Sequence, residues 1–465
     1  MKRIFSVYTV LVVISLLLAS CAQPTEEPSG PSPTEVVEEE PTEAEEEAEM
    51  EEEEPTESPE EAEEVVELVY MRQAEGIDLE LEFVEEFNQA HPNINVVVDS
   101  VPAGETYSKL ALTTESGNPP DVFMTYWTLG AASNGLAMDL TPFIEAEGEE
   151  FFNSYVKPGW TFNAYAGKYY GAPYRVAPVS VIINKNMVDA AGLDLPPNDW
   201  TWEDFVEYGK ALTNEEEGEY GYCLTGSAES HGTDAQFYPF LFSAGGKMIN
   251  ENGLAGFNSP EGVEALEFMT GLVQEGEIVP PGTTSASNNT CIDMLAADKV
   301  AMWIDASIWL GFIRAGRPEV NITLATMPYR NVQSTDNGGT GFGISPLTEH
   351  PEEAWEFVKF LISDDVMKRW AMAGSFTPGN VNVLNDPEFL ENPENAKVKY
   401  MLDNYKIWPL SHYPDNANLE SVLRTYLQAA YLGDMTPEEA LDGAAAEWNT
   451  VLEDYQEDDW WDVWK

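Results

Sequence analysis

The sequence predicts an α/β fold in which a parallel sheet carries helices on both faces and the chain is divided into two lobes. The first 60 or so residues of the folded part, from Val65, alternate in the order β-α-β-α-β, which is typical of such a sheet. Apolar residues make up 43% of the 465, enough for large cores. The roughly 400 residues after Val65 contain no second long linker, yet they exceed what one core normally holds, which favours two lobes.

The opening unit consists of three strands and two helices. Val66–Tyr70 and the β-branched run Ile94–Val98 predict strands, and between them Leu79–Ala90 has apolar residues at helical spacing. A second helix over Tyr107–Ser116 leads to a third strand at Asp121–Met124. Because ligands bind beyond the carboxyl ends of parallel strands, the residues that follow this third strand are candidates for ligand contact.

The alternation continues to the end of the chain. Thr201 and Asp204 form the sequence pattern of a capping box before one of the later helices, and Ser259 with Pro260 opens another. The predicted later strands are Val179–Ile183 and Val300–Asp305, and the predicted helices are Trp202–Leu212, Pro260–Gln274, Ala286–Asp298, Pro351–Ile362 and most of the chain from Leu419 onward.

The N terminus has the features of an export signal. A basic start is followed by the mostly apolar run Ile4–Ala19, which is shorter than the ~20 residues of a membrane-spanning helix. Leu18-Ala19-Ser20-Cys21 resembles the bacterial lipobox, so residues 1–21 are expected to be a lipoprotein signal peptide and Cys21 the site of lipidation. Acyl chains on Cys21 would anchor the protein to the outside of the cell membrane. The alternative is an uncleaved N-terminal helix with a chance cysteine.

Residues 22–64 contain 20 Glu and no Lys or Arg. Because they offer almost nothing apolar to bury, they are expected to form a disordered acidic linker. The linker either holds the folded part away from the membrane or has no further role; both readings predict the same disorder.

The whole chain has a formal net charge of −61, which excludes a nucleic-acid-binding protein on electrostatic grounds. The acidic excess indicates a solvated surface, or alternatively a cationic ligand. Four His and three Cys leave little material for a metal site, and none is expected. Cys223 and Cys291 remain after lipidation of Cys21; they form either a disulfide or two buried free thiols.

Several short motifs occur in an order and spacing that resemble the family 1 extracellular solute-binding proteins, the substrate-capturing components of ABC importers. Ile183-Asn184-Lys185 stands where the family usually has Tyr-Asn-Lys. The other matching segments are Gly117–Val122, Leu136–Pro142, Gly167–Pro173, Pro196–Asp204, Asp298–Met302, Gly338–Ser345 and His350–Trp355.

The resemblance implies a two-lobed, periplasmic-binding-protein-like fold of type II, with an interlobe cleft and a hinge. The expected N-lobe comprises 65–176 and 327–380, and the expected C-lobe comprises 177–326 and 381–465. The implied function is capture of a mono- or oligosaccharide by lobe closure and delivery to a membrane permease, by a monomer without cofactor and without catalysis.

The same resemblance, together with the suitability of aromatic rings and polar side chains for sugars, selects candidate ligand contacts. Trp303 is included because it shares strand parity with Asp305. Gln236 and Phe237 are expected in a loop before a helix of the C-lobe. Gly339 and Gly341 let the backbone approach a ligand or a hinge, and Gly339 is included as a candidate for this reason. The full set of candidates is Tyr126, Trp127, Tyr174, Arg175, Gln236, Phe237, Trp303, Asp305, Trp309 and Gly339.

Three alternatives remain open at this point. The same fold could bind a polyamine or another cationic solute. A surface-anchored carbohydrate-active enzyme is a second, although the sequence has no HExxH, GxSxG, CxxC or P-loop motif. An anchored adhesion or scaffold protein with an inert cleft is a third.

Overall fold

The computed structural model describes residues 65–74, 78–125, 128–374, 376–456 and 459–465. The signal peptide, the lipidation site Cys21 and the acidic linker 22–64, all predicted from the sequence, lie outside these residues. Within the described part of the chain, no helix is both long and apolar enough to cross a membrane.

Twelve strands are defined in the described residues. They are β1 (Val66–Gln73), β2 (Ile94–Val101), β3 (Val122–Thr125), β4 (Ala164–Tyr165), β5 (Lys168–Tyr169), β6 (Ala172–Asn184), β7 (Tyr220–Cys223), β8 (Val300–Ala306), β9 (Ile322–Ala325), β10 (Ser334–Ile344), β11 (Thr377–Pro378) and β12 (Lys406–Pro409).

The helices surround these strands. They are α1 (Leu79–Ala90), α2 (Thr106–Glu115), α3 (Thr128–Ser133), α4 (Thr141–Glu147), α5 (Glu149–Asn153), α6 (Lys157–Phe162), α7 (Lys185–Ala191), α8 (Trp202–Ala211), α9 (Gly232–Ala244), α10 (Pro260–Glu275), α11 (Asn288–Ala296), α12 (Trp309–Gly316), α13 (Pro351–Leu361), α14 (Asp364–Gly374), α15 (Val381–Leu384), α16 (Pro387–Leu390), α17 (Pro393–Asn404), α18 (Asn416–Leu432) and α19 (Pro437–Leu452). Short 3₁₀ segments lie at Ala103–Glu105, Thr283–Ser285, Glu453–Tyr455 and Trp460–Trp464.

The main sheet has the strand order β2-β1-β3-β10-β6-β8-β7, with β9 and β11 also pairing β6, and β12 pairing β10. The strand β1 pairs both β2 and β3 in parallel, which confirms the predicted opening unit. The predicted helix over Leu79–Ala90 is found with those bounds. The capping box of Thr201 and Asp204 is also present at the start of α8.

Two long strands connect the two ends of this sheet. The first half of β6 pairs β10, while residues from Val179 onward pair β8 and β9. In turn, β10 pairs β12 through its first residues and β3 through its last. The strand β6 begins at Ala172, seven residues before the predicted start at Val179. The sequence did not reveal the earlier start, because the entire strand is buried and shows no alternation of polar and apolar residues.

The buried apolar residues form two large clusters and one small one. The cluster called here the first core contains residues between Leu68 and Tyr174 and between Phe342 and Phe389. The second core contains mainly residues between Val179 and Met327 and between Val398 and Trp464. The small cluster, which includes Met71 and Phe123, packs on the opposite face of β1 and β3 from the first core. The sheet is thus covered on both of its faces there, as predicted.

Candidate functional site

A cavity of about 300 Å³ lies where β6 and β10 run between the two cores. It draws residues from α3, α6, β6, β10, α18 and the segments around them. The lining residues are Thr128, Leu129, Gly130, Phe162, Arg175, Ala177, His231, Ala306, Ile308, Gly338, Gly339, Leu410, Ser411, His412, Asn416 and Glu420.

One wall of the cavity is formed by β6 and β10. Arg175 lies opposite Thr340 in the two strands, and its Nε donates a hydrogen bond of 2.6 Å to the Thr340 hydroxyl. The ring of Phe162 packs against Gly339, where a Cβ atom would lie only 3.1 Å from that ring. This wall combines a guanidinium with an aromatic ring, which suits a ligand that has both hydroxyl groups and apolar C–H faces.

Thr128, at the start of α3, is held in place by Asn163. The Thr128 hydroxyl donates to Asn163 Oδ1 at 2.9 Å, and Asn163 Nδ2 donates to the carbonyl of Gly159 at 2.8 Å. The Asn163 amide fits only because Gly341 has no side chain; a Cβ atom there would lie 2.0 Å from Asn163 Oδ1. Gly341, predicted to allow close backbone approach, makes room for a side chain that orients a cavity residue.

The polar end of the cavity is a cluster of ionisable groups in which Asp234 and Glu420 are buried and His231 is exposed. Glu420 accepts a hydrogen bond from Ser411, and Arg424 Nη1 lies 3.4 Å from the carboxylates of both Glu420 and Asp234. His231 Nδ1 lies 3.9 Å from each of the same two carboxylates. Two acidic and two basic side chains therefore face one another, with Glu420 and His231 in the cavity lining.

Burial and neighbouring charge shift the pKa values in this cluster. Burial raises the pKa of Asp234, and the negative charge of Glu420 raises it further. Partial desolvation by the surrounding protein would by itself lower the pKa of His231, but the carboxylates of Asp234 and Glu420 outweigh it and hold that pKa above its ordinary value. Protonated His231 is consequently favoured beside a carboxyl that retains its proton more readily than usual.

His231, Asp234 and Glu420 each offer a ligand atom within 4.8 Å of the others, close enough to be tested as a cation site. Arg424 already places its guanidinium between the two carboxylates. The cluster is therefore an ion-pair network in which Arg424 supplies the positive charge that a metal ion would bring.

The wall beside this cluster is the segment Leu410–His412. Ser411 adopts a left-handed backbone conformation with φ of +53°, which a residue other than glycine adopts only when its surroundings hold it there. Its hydroxyl bonds to Glu420, and the imidazole of His412 is buried, which lowers the His412 pKa to about 3. The cavity thus has a neutral imidazole and a fixed hydroxyl at this wall.

The structure brings two of the predicted ligand residues, Arg175 and Gly339, into the cavity lining. Tyr126 and Trp127 lie outside the described residues, although Thr128, which follows them, lines the cavity. Tyr174 is buried in the first core, with its ring 4.4 Å from that of Trp370, and does not line the cavity.

Gln236 and Phe237 lie within α9 and not in the loop predicted for them, so that prediction was wrong. Every residue of α9 is buried, which leaves no alternation of exposed and buried positions for the sequence to show. The Gln236 amide serves the interior, because it accepts from Tyr222 at 2.8 Å and donates to the carbonyl of Ile304 at 3.1 Å.

The remaining candidates, Trp303, Asp305 and Trp309, do not line the cavity. Trp303 is fully buried, and its ring lies 5.8 Å from that of Trp309. Asp305 accepts a hydrogen bond of 3.0 Å from Asn288. Burial raises the Asp305 pKa to about 6, although hydrogen bonds from its neighbours, Trp309 among them, act in the opposite direction.

Cys223 and Cys291 are joined by a disulfide, with Cα atoms 5.6 Å apart. The bond links the end of β7 to α11 and is fully buried. Of the two pairing states that the sequence left open, the structure contains the bridged one.

Comparison with known structures shows that a solved solute-binding protein shares this fold. The ABC transporter solute-binding protein of Thermotoga lettingae, solved with α-D-tagatose, superposes with a TM-score of 0.70 at 24% identity; the match covers 83% of this chain and 100% of that one. The chain has a two-lobed, periplasmic-binding-protein-like fold. This follows from the structural match together with the α/β sheet, the two cores and the cavity between them.

The family follows from the sequence. The model of the bacterial extracellular solute-binding proteins matches residues 74–368, and the chain belongs to that family. A binding protein of Brucella abortus is 24% identical over 371 residues, covering 79% of this chain and 88% of that protein. The arabinooligosaccharide-binding protein of Halalkalibacterium halodurans is 25% identical over 356 residues, with 71% and 75% covered.

Membership confirms the predicted class: the protein is an extracytoplasmic binding protein and not an enzyme. The alternatives of a surface-anchored carbohydrate-active enzyme and of an inert scaffold are set aside on this finding.

Proposed function

We propose that this protein captures a neutral mono- or disaccharide in the cavity between the two cores and delivers it to the membrane permease of an ABC importer. The single observation that carries the proposal is the composition of the cavity. It presents an aromatic ring at Phe162, a guanidinium at Arg175, and hydroxyl, amide and carboxylate groups at Ser411, Asn416 and Glu420. These are the groups that bind the C–H faces and the hydroxyls of a sugar.

The size of the cavity favours a small ligand. A volume of about 300 Å³ lies at the lower end of the ~300–1,000 Å³ that small-molecule sites span. One or two sugar rings therefore suit the site better than a long oligosaccharide. The Thermotoga protein, which was solved with the monosaccharide α-D-tagatose, supports a ligand of this size.

The charges around the cavity favour a neutral ligand over a polyamine. Glu420 and Asp234 are already matched by Arg424 and His231, so the cluster offers no net negative charge to an incoming amine. A buried ion pair that is already satisfied gains little from exchanging its partner for a ligand cation.

Closure of two lobes is the proposed mode of capture. The proposed lobes are 65–176 with 327–380 and 177–326 with 381–465, and the division of the buried residues into two cores supports them. Phe389 packs in the first core and Val398 in the second, which favours a last crossing somewhat later than residue 380. Ligand contacts to both lobes would stabilise the closed form.

The proposed location is the outer face of the cell membrane, with a monomer anchored through lipid on Cys21 and held away from the bilayer by the linker 22–64. The lipobox-like sequence before Cys21 supports the anchor. Retention of the protein in washed membranes, lost on Cys21→Ser, tests it.

The ligand is tested by a thermal-shift and calorimetry panel of D-tagatose, maltose, arabinobiose and spermidine. A sugar present at a hundred times its dissociation constant should stabilise the native state by ~2.7 kcal/mol. Stabilisation by spermidine with no response to any neutral sugar would overturn the proposal in favour of a cationic solute.

Glu420→Gln is the matched test of the site. It keeps the side-chain shape but removes the charge that accepts sugar hydroxyls, so affinity for the bound sugar should fall about tenfold or more. Glu216→Gln, at an exposed position, serves as the control and should bind as the wild type does. Equal affinity in Glu420→Gln and in the control would remove Glu420 from the binding site.

A further inference from the structure

The C-terminal segment packs directly behind one wall of the cavity. Trp460–Trp464 forms a 3₁₀ segment, and its Trp460, Trp461 and Trp464 side chains are all buried. An exposed chain end would leave such large apolar side chains in water, so the segment is part of the folded structure.

Trp464 makes the decisive contacts. Its indole Nε1 donates a buried hydrogen bond of 2.9 Å to the carbonyl of His412, a residue of the cavity wall. Its ring stacks on Trp408, with centroids 5.5 Å apart and an interplanar angle of 20°, and lies 6.1 Å from Phe242 of α9. One side chain thereby joins the wall, the strand β12 and a buried helix of the second core.

The wall that Trp464 contacts needs such support. Leu410–His412 line the cavity, and Ser411 among them has φ of +53°, a conformation that costs free energy unless neighbouring contacts hold it. The wall follows directly after β12 in the chain, and the backbone amide of Leu410 donates a hydrogen bond of 3.0 Å to the carbonyl of Asn337. The Ser411 hydroxyl, in the middle of the wall, donates a hydrogen bond to the Glu420 carboxylate, so a shift of the wall would move that carboxylate as well.

We propose that Trp464 is a positioning residue for ligand binding: through its hydrogen bond to His412 and its stack on Trp408, it fixes the wall Leu410–His412 and with it Ser411 and Glu420. The effect of this residue on wall mobility does not depend on the identity of the ligand, whereas its effect on affinity rests on the proposed function.

The test uses two matched variants of the full chain. Trp464→Phe keeps an aromatic ring for the stack but removes the N–H donor to His412. Trp460→Phe makes the same substitution in the same segment, but the Trp460 Nε1 has no hydrogen-bond partner among the described residues, so no such bond is lost. The two variants lose similar buried area, but only Trp464→Phe removes a hydrogen bond to the wall Leu410–His412.

The first measurement is amide hydrogen exchange of the ligand-free protein, read on peptides covering residues 410–416. Exchange in these peptides should become at least about tenfold faster in Trp464→Phe and stay at the wild-type rate in Trp460→Phe. Equal exchange in both variants and the wild type would overturn the proposal, whether or not any sugar binds.

The second measurement is calorimetric titration with maltose and with D-tagatose. The sugar that binds the wild type should bind Trp464→Phe about tenfold more weakly, and Trp460→Phe unchanged. A loosened wall with undiminished affinity would overturn the role in binding. If neither these sugars nor others of the panel bind the wild type, the proposed function fails, while faster exchange confined to Trp464→Phe still supports the positioning of the wall.

Discussion

Replacing Asp336 by asparagine is expected to stabilise the protein increasingly as the pH rises. Asp336 lies in β10 and is completely buried, and neither of its carboxyl oxygens has a hydrogen-bond partner among the described residues. Burial raises the pKa of this carboxyl well above its ordinary value. The folded protein therefore retains a proton that the unfolded chain releases.

The magnitude follows from proton linkage. An unfolded aspartate has a pKa of about 3.9, so above about pH 4 the native state binds one more proton than the unfolded state. The free energy of unfolding of the wild type then falls by ~1.4 kcal/mol per pH unit on account of this group, up to its pKa in the folded protein. Asparagine does not titrate, so the advantage of Asp336→Asn should grow with pH, at up to ~1.4 kcal/mol per pH unit, over the range between the unfolded and the folded pKa of Asp336.

The assay is urea denaturation at pH 5, 6 and 7, followed by tryptophan fluorescence. Any constant offset from exchanging a carboxyl for an amide cancels, because only the change with pH is interpreted. Asp454→Asn, at an exposed aspartate, is the control and should show no comparable trend. A difference between Asp336→Asn and wild type that stays constant from pH 5 to pH 7 would refute the reasoning.

Two further variants test the architecture of the folded chain. Gly341→Ala should lower the free energy of unfolding by ~1–3 kcal/mol and weaken sugar binding, because the new Cβ atom would lie 2.0 Å from Asn163 Oδ1. The control is Gly271→Ala, because no heavy atom lies within 4 Å of a Cβ atom at that position. Equal stability of the two variants would contradict the predicted clash at Gly341. Replacing Cys223 and Cys291 together by serine should lower the free energy of unfolding by ~4 kcal/mol, because the disulfide closes a loop whose ends are 68 residues apart. An unchanged urea denaturation midpoint in this double variant would contradict that stabilisation.

The helices predicted most accurately are those in which one face meets water. The helix α1 repeats Phe83 and Phe87 on its buried side and has Glu82, Glu85 and Glu86 on its exposed side, so the periodicity defined its bounds to the residue. Capping residues such as Thr201 marked helix starts because their side chains bond the backbone next to them, and such bonds need no tertiary context.

Elements buried all round were harder to predict. The helix α9 contains Pro239 and has no exposed residue, so neither its helical period nor its bounds could be seen. The strand β6 was recognised only in its second half, because burial along all of its length gives a continuous run with no alternation to mark the ends.

The candidate site was predicted in part. Arg175 and Gly339 followed from the family resemblance, since they stand beside recognisable motifs. Glu420, Ser411 and His231 were not found, because they come together from distant parts of the chain. Glu420 is one of 83 acidic residues, and nothing in its local sequence separates it from those at the surface.

The contrast between the surface and the cavity bears on the nature of the ligand. A chain with a net charge of −61 invites the inference that it binds cations. Around the cavity, however, the carboxylates of Asp234 and Glu420 are paired with Arg424 and His231, so they already have positive partners within the protein. Buried charges are costly unless they are matched in this way, whereas surface carboxylates are solvated and need no partner. The acidic excess is thus a property of the solvated surface, and the balanced cavity favours a ligand without charge.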